Sequence, residues 1–180
     1  MQTERLLLRP LTRDDLDACA AYTSLEATTT YLRWEPRSRA ETAMWLERAV
    51  TGAGDNLAVI RTDTGEFIGD VGLWPGEHNS AEVGYVLHPD HYGNGFATEA
   101  VRELILFGFA DRGYHRILAR LDARNHRSRR LVERLGMRRE AHFLRNEFVK
   151  GEWTDEYVYA TLAEEWVPAG SSPSARSRHG

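Results

Sequence analysis

The chain has 180 residues, of which 42% are hydrophobic and 28% are charged, and its net charge is −4. These values are typical of one globular domain, and they exclude both a disordered chain and a uniformly basic nucleic-acid-binding protein. A single cysteine, Cys19, excludes a disulfide framework and any metal site built from cysteine pairs. The polar start carries no apolar signal segment, and no apolar run is long enough to cross a membrane. We therefore expect a cytoplasmic protein with no membrane partner.

Charge is distributed unevenly along the chain. From Arg112 to Arg145 there are eleven arginines and three carboxylates, a net charge of +8, so the rest of the chain carries −12. A basic segment in an acidic protein is typical of a site for an anionic ligand. Nucleic-acid binding is a rival explanation, but the segment contains no helix–turn–helix, zinc or RNA-recognition pattern. We therefore expect no nucleic-acid partner.

The first half of the chain alternates helical and extended patterns. Helical spacing of apolar residues follows an N-cap at Thr12, and a capping box opens the next helix. Three strands separated by turns rich in glycine, proline and asparagine indicate an antiparallel meander. The predicted elements are a strand at 3–8, a helix from Leu16, a helix after Ser38-Arg39-Ala40-Glu41, and strands at 57–61, 67–74 and 81–88.

The second half has a strand–helix–strand unit followed by a further helix and a hairpin. The expected elements are a helix at 98–112, a strand at 116–121, a helix at 128–135 ended by Gly136, and strands at 143–149 and 156–162. Neither an internal repeat nor a linker interrupts them, so we expect one α/β domain over residues 1–167. Residues 168–180 are rich in serine, glycine, proline and arginine, which predicts a disordered tail.

The most informative segment joins the strand that ends at His88 to the helix that begins at Thr98. Its centre is Tyr92-Gly93-Asn94-Gly95-Phe96-Ala97. Glycines permit close backbone approach, and the N–H groups of a helix N-terminus attract anions, so the pattern fits a phosphate cradle as well as an ordinary turn. A P-loop is excluded because no Gly-Lys-Ser/Thr is present. A Rossmann fingerprint is excluded because Thr98 takes the third glycine position and the preceding strands are antiparallel.

This segment resembles the pyrophosphate-binding motif of GCN5-related N-acetyltransferases (GNATs). Two further segments are similar to the family and occur in its order. The first is Asp122-Ala123-Arg124-Asn125 with Ser128 and Leu135-Gly136-Met137, and the second is Gly151-Glu152-Trp153-Thr154-Asp155 before Tyr157-Val158-Tyr159. With Arg5-Leu6-Leu7-Leu8-Arg9-Pro10 at the start, the chain resembles the branch of ribosomal-protein N-terminal acetyltransferases. The resemblance covers about residues 3 to 163.

The resemblance implies an α/β (α+β) fold with a mixed, mainly antiparallel sheet of about seven strands flanked by about four helices. The strands at 81–88 and 116–121 would splay apart, and acetyl-CoA would bind in the cleft between them. A backbone N–H near Val86 or Leu87 would polarise the thioester carbonyl. The other implied coenzyme-binding residues are Tyr92, Gly93, Asn94, Gly95, Phe96, Ala97, Thr98, Asn125 and Arg127. The arginines nearest the coenzyme phosphates would be Arg124, Arg127, Arg129 and Arg130.

Two positions depart from the family pattern. Tyr92 replaces the usual arginine or glutamine, which leaves the backbone donors to hold phosphate. Val132 falls where many members have a tyrosine that protonates the departing thiolate, so the candidate acid is Ser128 or a water molecule. Ser128 is equally typical of a helix N-terminal residue, and Asn125 is either a pantetheine ligand or the N-cap of the same helix.

The acceptor amine must lose a proton, and Glu82 is the candidate general base. It shares a strand face with Gly84 and Val86, and family members often carry a glutamate base on this strand; the alternative is a solvated surface carboxylate. The histidines show no metal-ligand spacing, so no metal is expected. Candidate acceptor-binding residues in or beside the loops that the family uses are Tyr31, Trp34, Trp74 and Trp153, each of which is also compatible with simple packing.

The sequence therefore predicts an acyl-CoA-dependent N-acyltransferase, foremost an acetyltransferase, in which an amine attacks the thioester directly within a ternary complex. The acceptor is a protein N-terminus or a small amine, such as an antibiotic or an amino-acid derivative. The alternatives are an antibiotic- or amine-modifying enzyme that uses another acyl-CoA, and a degenerate acyl-CoA-binding sensor domain, which the valine at position 132 motivates. An isologous homodimer is common among the proteins that the chain resembles.

Overall fold

The computed structural model of the protein describes residues 1–166, so the tail predicted at 168–180 lies outside the described residues. Its strands are β1 (Leu6–Pro10), β2 (Asp55–Arg61), β3 (Phe67–Pro75), β4 (Ser80–Leu87), β5 (Arg116–Asp122), β6 (Arg138–Val149) and β7 (Glu152–Leu162). Its α-helices are α1 (Leu16–Thr23), α2 (Glu26–Thr29), α3 (Arg39–Thr51), α4 (Phe96–Ala110) and α5 (His126–Arg134). Among these helices none has the length and apolar character of a membrane span.

The strands form one sheet in the order β1-β2-β3-β4-β5-β7-β6. Every neighbouring pair is antiparallel except β4 and β5, which are parallel. That parallel pair is joined only from Ser80 to Glu82, opposite Arg116 to Leu118, although β4 continues to Leu87. The mixed sheet and its splayed central pair are confirmed, and the splay opens a cleft between the second half of β4 and β5.

Helices cover both faces of the sheet. The apolar α4 packs on one face against β3, β4 and β1, and α1 and α3 pack together on the other face over β3. The larger core lies beneath α4 and α5, and a smaller core around Cys19, Tyr22 and Leu46 lies beneath α1 and α3. The prediction that Cys19 is a core residue is confirmed, and burial raises the pKa of its thiol to about 12.

Helix boundaries follow local capping chemistry. Ser38 Oγ accepts from the N–H of Glu41 at 3.3 Å, and the Glu41 carboxylate accepts from the N–H of Ser38 at 2.8 Å, which confirms the capping box at the start of α3. Gly136 follows α5 with φ +83°, the left-handed conformation expected after a helix. The one-turn helix α2 was not predicted, because four residues rich in threonine carry no apolar periodicity.

The last two strands are longer than the sequence predicts. β6 begins at Arg138 rather than 143, and β7 begins at Glu152 rather than 156. The missed portion of β6 is polar because β6 is an edge strand with one unpaired side, so it shows no alternation of apolar residues. Arg145, with φ +48°, lies where the pairing between β6 and β7 shifts.

Candidate active site

The splayed part of β4 leaves backbone groups free to bind a ligand. The N–H of His88 donates to the carbonyl of Ile68 on β3 at 2.8 Å. Because backbone bonds alternate along an antiparallel pair, the N–H groups of Leu87 and Tyr85 point away from β3 toward the gap, whereas that of Val86 points to β3. The carbonyl-polarising N–H was expected near Val86 or Leu87, and of these two residues Leu87 is the one whose N–H points into the gap.

A cavity of about 360 Å³ occupies this cleft, and we call it the donor cavity. It runs between α2, the end of β4, the turn before α4 and the start of α5. The candidate catalytic residue Ser128 lines it, and so do the predicted coenzyme residues Val86, Leu87, Tyr92, Gly93, Gly95, Phe96, Ala97, Thr98, Asn125 and Arg127. Arg130, a candidate for the coenzyme phosphates, also lies in the wall. The remaining wall residues were not assigned to the coenzyme, and they are Ala27, Thr28, Tyr31, Leu32, Tyr85, His91, Leu131 and Arg134.

The glycine-rich turn forms an open helix N-terminus at one end of the donor cavity. Gly93 and Gly95 both have φ +81°, a left-handed conformation that suits glycine. α4 begins at Phe96, two residues earlier than predicted, and no side chain caps it, so its first N–H groups have no helical partner. Asn94 lies outside the cavity wall, and its side chain donates instead to the carbonyls of His91 and Tyr92 at 3.3 Å.

Positive charge lines the donor cavity. Arg127, Arg130 and Arg134 lie in its wall, and none of them pairs with a carboxylate within residues 1–166. Arg127 packs over the ring of Tyr92 at 5.0 Å, which fixes the tyrosine that replaces the usual family residue. The donor cavity thus offers unpaired backbone donors and three arginines, a set that fits a phosphate-bearing thioester such as acetyl-CoA.

Two other phosphate candidates lie elsewhere. Arg124 is bound to Asp122 at 2.7 Å and to Glu152 at 2.6 Å, and it does not line the donor cavity. Arg129 also lies outside the cavity wall, with its Nε 4.0 Å from Glu133 Oε1. These two arginines therefore do not line the donor cavity, whereas Arg134, which the sequence did not suggest, does.

Two hydroxyl groups lie in the wall where α5 faces β4. Asn125 Oδ1 accepts from the N–H of Ser128 at 3.0 Å, so Asn125 is the N-cap of α5 and also lines the cavity. Tyr85 Oη donates to the carbonyl of Ser128 at 3.4 Å, and burial raises the pKa of Tyr85 to about 12. Tyr85 escaped the sequence analysis because a single tyrosine on an apolar strand face is indistinguishable from a core residue. Val132 is fully buried, away from the cavity.

A second cavity of about 180 Å³, which we call the acceptor cavity, lies beside the first. Tyr31 and Leu32 line both cavities and separate them. Glu82 lines the acceptor cavity at the last residue of β4 that pairs with β5, the point where the strands begin to separate. The charged residues of this wall are five carboxylates and two arginines, namely Glu82, Asp122, Glu147, Asp155, Glu156, Arg33 and Arg120.

An ion-pair network holds the floor of the acceptor cavity. Glu156, only 3% exposed, accepts from Arg33 Nη2 at 2.9 Å, from Arg120 Nη1 at 3.2 Å and from Asn146 Nδ2 at 2.9 Å. Arg33 Nη2 also donates to Glu147 at 3.0 Å. Since each buried charge here has partners, the network fixes the side chains of the cavity wall.

Glu82 differs from the other carboxylates of this wall. Burial raises its pKa, and the neighbouring positive charges of Arg120 and Arg33 oppose that rise. Arg120 Nε lies 3.5 Å from Glu82 Oε2, at the edge of hydrogen-bonding distance. A carboxylate with a raised pKa accepts a proton more readily than an ordinary surface carboxylate, which suits a general base.

The predicted acceptor residues are not all brought together. Tyr31 lines both cavities, but Trp34, Trp74 and Trp153 line neither. Trp34 packs against the guanidinium of Arg37 at 3.9 Å, and Trp74 donates through Nε1 to Asn56 at 3.1 Å. Trp153 is 60% exposed at the start of β7. For these three tryptophans the structure favours packing or surface positions over contact with the acceptor.

The chain also matches known proteins. The family model described as "Acetyltransferase (GNAT) domain" matches residues 5–138. The chain belongs to the GNAT acetyltransferase family. A relative from Bacillus subtilis, "Uncharacterized N-acetyltransferase YnaD", is 32% identical over 166 residues, which are 91% of this chain and 97% of the relative. The protein is therefore an acetyl-CoA-dependent N-acetyltransferase that modifies an amine.

Solved structures share the fold. A GNAT-family acetyltransferase from Bacillus anthracis superimposes with a TM-score of 0.87 and 30% identity, covering 92% of this chain and 99% of the other. The spermidine N-acetyltransferase from Vibrio cholerae, solved with CoA and spermine, has a TM-score of 0.81 and 24% identity, covering 91% and 99%. Within residues 1–166 no group of three metal-ligating side chains occurs in this GNAT protein.

Proposed function

We propose that acetyl-CoA binds in the donor cavity and that the amine enters through the acceptor cavity, so that the two meet beside Tyr31 and Leu32. The observation that carries this proposal is that these two residues line both cavities. The anion-binding groups all belong to the donor cavity, and the candidate base Glu82 belongs to the acceptor cavity. Direct attack within a ternary complex requires this arrangement of two adjoining sites.

The acceptor is, on this proposal, a small cationic amine. Five carboxylates against two arginines attract a positively charged group, and they raise its local concentration before it loses a proton. The volume of about 180 Å³ is below the 300 Å³ or so that is typical of a complete ligand pocket, so it accommodates the reacting end of a small amine. A protein N-terminus is the second candidate, which the resemblance to ribosomal-protein acetyltransferases supports.

Acetyl-CoA supplies the acetyl group as an activated thioester. Glu82 accepts the amine proton, directly or through one water molecule. The N–H of Leu87 donates to the thioester carbonyl, where negative charge develops. Ser128 is the predicted proton donor for the thiolate, and the neighbouring Tyr85 is a second hydroxyl in the same wall. A loss of activity in Ser128→Ala that Tyr85→Phe does not share would identify Ser128, and the converse would identify Tyr85.

Release of CoA thiol from acetyl-CoA tests the acceptor class. The kcat/KM values of small diamines, of monoamines with no second charge and of short peptides with free N-termini would be compared at low and high ionic strength. We expect the diamines to give the highest kcat/KM, with a decrease at high salt because screening weakens attraction to the carboxylates. Turnover of the peptides but not of the small amines would show that the acceptor is a protein N-terminus rather than a small amine. Tight acetyl-CoA binding without turnover of any amine would instead indicate a sensor domain.

We also propose a cytoplasmic homodimer. β6 is an edge strand of the sheet, and the β6–β7 hairpin exposes Phe143, Leu144, Phe148 and Trp153. A cluster of exposed apolar side chains beside an open edge favours pairing with another chain. The lone, buried cysteine is compatible with a reducing compartment. Sedimentation equilibrium at micromolar concentration is expected to give about twice the 20.5 kDa chain mass, and a single species of that chain mass would contradict the dimer.

A further inference from the structure

The helix α2 borders the place where the two cavities adjoin. Ala27 and Thr28, within α2, line the donor cavity only. Tyr31 and Leu32, which follow shortly after the end of α2, line both cavities. The anion-binding groups, which are the turn before α4 and the arginines of α5, belong to other elements of the donor cavity wall. α2 therefore faces the part of the donor cavity that leads toward the acceptor rather than the phosphate end.

Thr28 has a buried hydroxyl with no partner. The residue is only 7% exposed, and its Oγ1 makes no hydrogen bond within residues 1–166. In this part of the chain only one other buried side-chain atom, Nε of Arg129, shares that condition. Buried polar groups without partners are rare in folded proteins because each one loses its hydration without compensation. Because Thr28 lines the donor cavity, a ligand there that reaches the hydroxyl can supply the missing bond.

The two neighbouring threonines satisfy their hydroxyls with a backbone carbonyl. Thr29 Oγ1 donates to the carbonyl of Glu26 at 3.4 Å, and Thr30 Oγ1 donates to the same carbonyl at 2.9 Å. Such bonds to a carbonyl three or four residues earlier are how threonine hydroxyls are normally satisfied in helices. Thr28 makes no such bond, although its N–H donates to the carbonyl of Leu25 at 3.1 Å. Rotation about χ1 exchanges its hydroxyl and methyl positions, so a ligand reaches the hydroxyl without backbone movement.

We propose that the Thr28 hydroxyl is a hydrogen-bonding partner of the acyl-pantetheine arm, and that it is satisfied only when the coenzyme is bound. This inference rests on the proposed placement of acetyl-CoA in the donor cavity. The arm carries two amides and a thioester carbonyl, so it offers both donors and acceptors to a hydroxyl. Thr28 does not line the acceptor cavity, which makes the arm rather than the amine its ligand.

The test compares Thr28→Val, which keeps the shape and removes the hydroxyl, with Thr28→Ser, which keeps the hydroxyl. Binding of acetyl-CoA and of adenosine 3′,5′-bisphosphate, which lacks the arm, would be measured by titration calorimetry. We expect Thr28→Val to bind acetyl-CoA on the order of tenfold more weakly and to bind the bisphosphate unchanged. Thr28→Ser should retain acetyl-CoA affinity within about twofold, since a hydroxyl remains.

Thermal unfolding of the ligand-free variants supplies the second readout. Removing an unsatisfied buried hydroxyl relieves a cost, so the midpoint of free Thr28→Val should equal or exceed that of the wild type. Improved stability together with weaker acetyl-CoA binding is a combination that a merely structural threonine does not produce. A lower midpoint with equal weakening of both ligands would overturn the proposal, as would wild-type acetyl-CoA affinity.

A Gly95→Val variant, monitored for folding, separates this inference from the proposed function. If Gly95→Val prevents acetyl-CoA binding while Thr28→Val has no effect, the donor cavity stands and the role of Thr28 is wrong. If neither substitution changes acetyl-CoA binding, the placement of the coenzyme is itself wrong, and the inference about Thr28 is overturned with it.

Discussion

The two cavities lie side by side and have opposite charge. Three arginines and no carboxylate line the donor cavity, whereas five carboxylates and two arginines line the acceptor cavity. Tyr31 and Leu32 are the two residues that line both. On the proposed function, this contrast lets one small domain bring an anionic coenzyme and a cationic amine together without mixing their binding sites.

The division between the cavities follows from one strand. β4 pairs with β5 as far as Glu82 and then separates from it, so the last paired residue supplies a carboxylate to the acceptor cavity. Beyond that point the backbone of β4 has no partner on its β5 side, and Leu87 directs its N–H into the donor cavity. The register of this one strand therefore places both the proposed base and the proposed carbonyl-polarising donor.

The largest expected effect on coenzyme binding comes from Gly95. A valine there forces a β-branched residue into a left-handed conformation, with its Cβ against the Arg5 guanidinium, so the turn before α4 must change shape and acetyl-CoA binding should weaken by about a hundredfold or more. Gly65→Val is the matched control, because Gly65 has φ +71° in a turn outside both cavities. Titration calorimetry should show lost affinity in the first variant only; equal affinities in the two variants would break the assignment of the donor cavity.

Glu82→Gln should lower kcat by about 10²- to 10³-fold at pH 7, because the proton acceptor is lost. The loss should shrink as pH rises, since at high pH the amine already lacks its proton. Glu77→Gln, at a fully solvated carboxylate outside both cavities, is the control and should have wild-type kinetics. A pH–rate profile for each variant makes the comparison, and a loss that does not vary with pH would remove Glu82 as the base.

A pair of charge substitutions sharpens the contrast between the cavities. Arg130→Gln should raise the KM for acetyl-CoA about five- to tenfold and leave the KM for the amine unchanged, because Arg130 lines only the donor cavity. Glu147→Gln should have the reverse pattern, since Glu147 lines only the acceptor cavity. Steady-state kinetics with each substrate varied in turn measures both values. Equal effects of either variant on both KM values would mean that the two sites are not separate.

The smallest expected effect concerns Asp70, a buried carboxylate outside both cavities that accepts a hydrogen bond from Tyr22. Burial raises its pKa to about 6 from 3.8, so the folded state holds this proton more tightly than the unfolded state. The free energy of unfolding therefore loses this contribution as pH rises from about 4 to about 6. As pH rises across that range, the free energy of unfolding of Asp70→Asn should increase by about 1–3 kcal/mol relative to that of the wild type. The KM values should not change.

Urea unfolding of wild type and Asp70→Asn at several pH values measures this gain. An energy difference between them that stays constant from pH 4 to pH 8 would contradict the raised pKa. A change in the KM for the amine would show that the charge of Asp70, on β3, influences the acceptor cavity although Asp70 lies outside its wall.

Most residues that the sequence motifs selected for the coenzyme line one cavity, whereas of the four acceptor candidates only Tyr31 lines either cavity. The coenzyme motif is local, because a glycine-rich turn and the helix after it form the cradle from one continuous segment. The acceptor cavity instead combines Arg33, Glu82 and Arg120 with Glu147 and Glu156. Glu147 and Glu156 come from β6 and β7, and they reach the cavity only through the pairing of β7 with β5, which no local pattern specifies.

The charge asymmetry of the sequence acquires a more specific meaning in the fold. Part of the basic segment is neutralised, because Arg116 pairs with Glu140 and Arg138 pairs with Glu165. Arg120 lies in the acceptor cavity rather than beside the coenzyme. The arginines that face the donor cavity share the helix α5, so helical periodicity rather than total charge selects them.

A crystal structure of the protein with CoA tests the central claim most directly. The account predicts that the pyrophosphate contacts the N–H groups of the turn before α4, and that the pantetheine arm follows the unpaired edge of β4. The thiol should then lie beside Tyr31 and Leu32, with Glu82 on the far side of them. A pantetheine arm that enters the acceptor cavity, or a coenzyme bound outside the cleft between β4 and β5, would contradict the account.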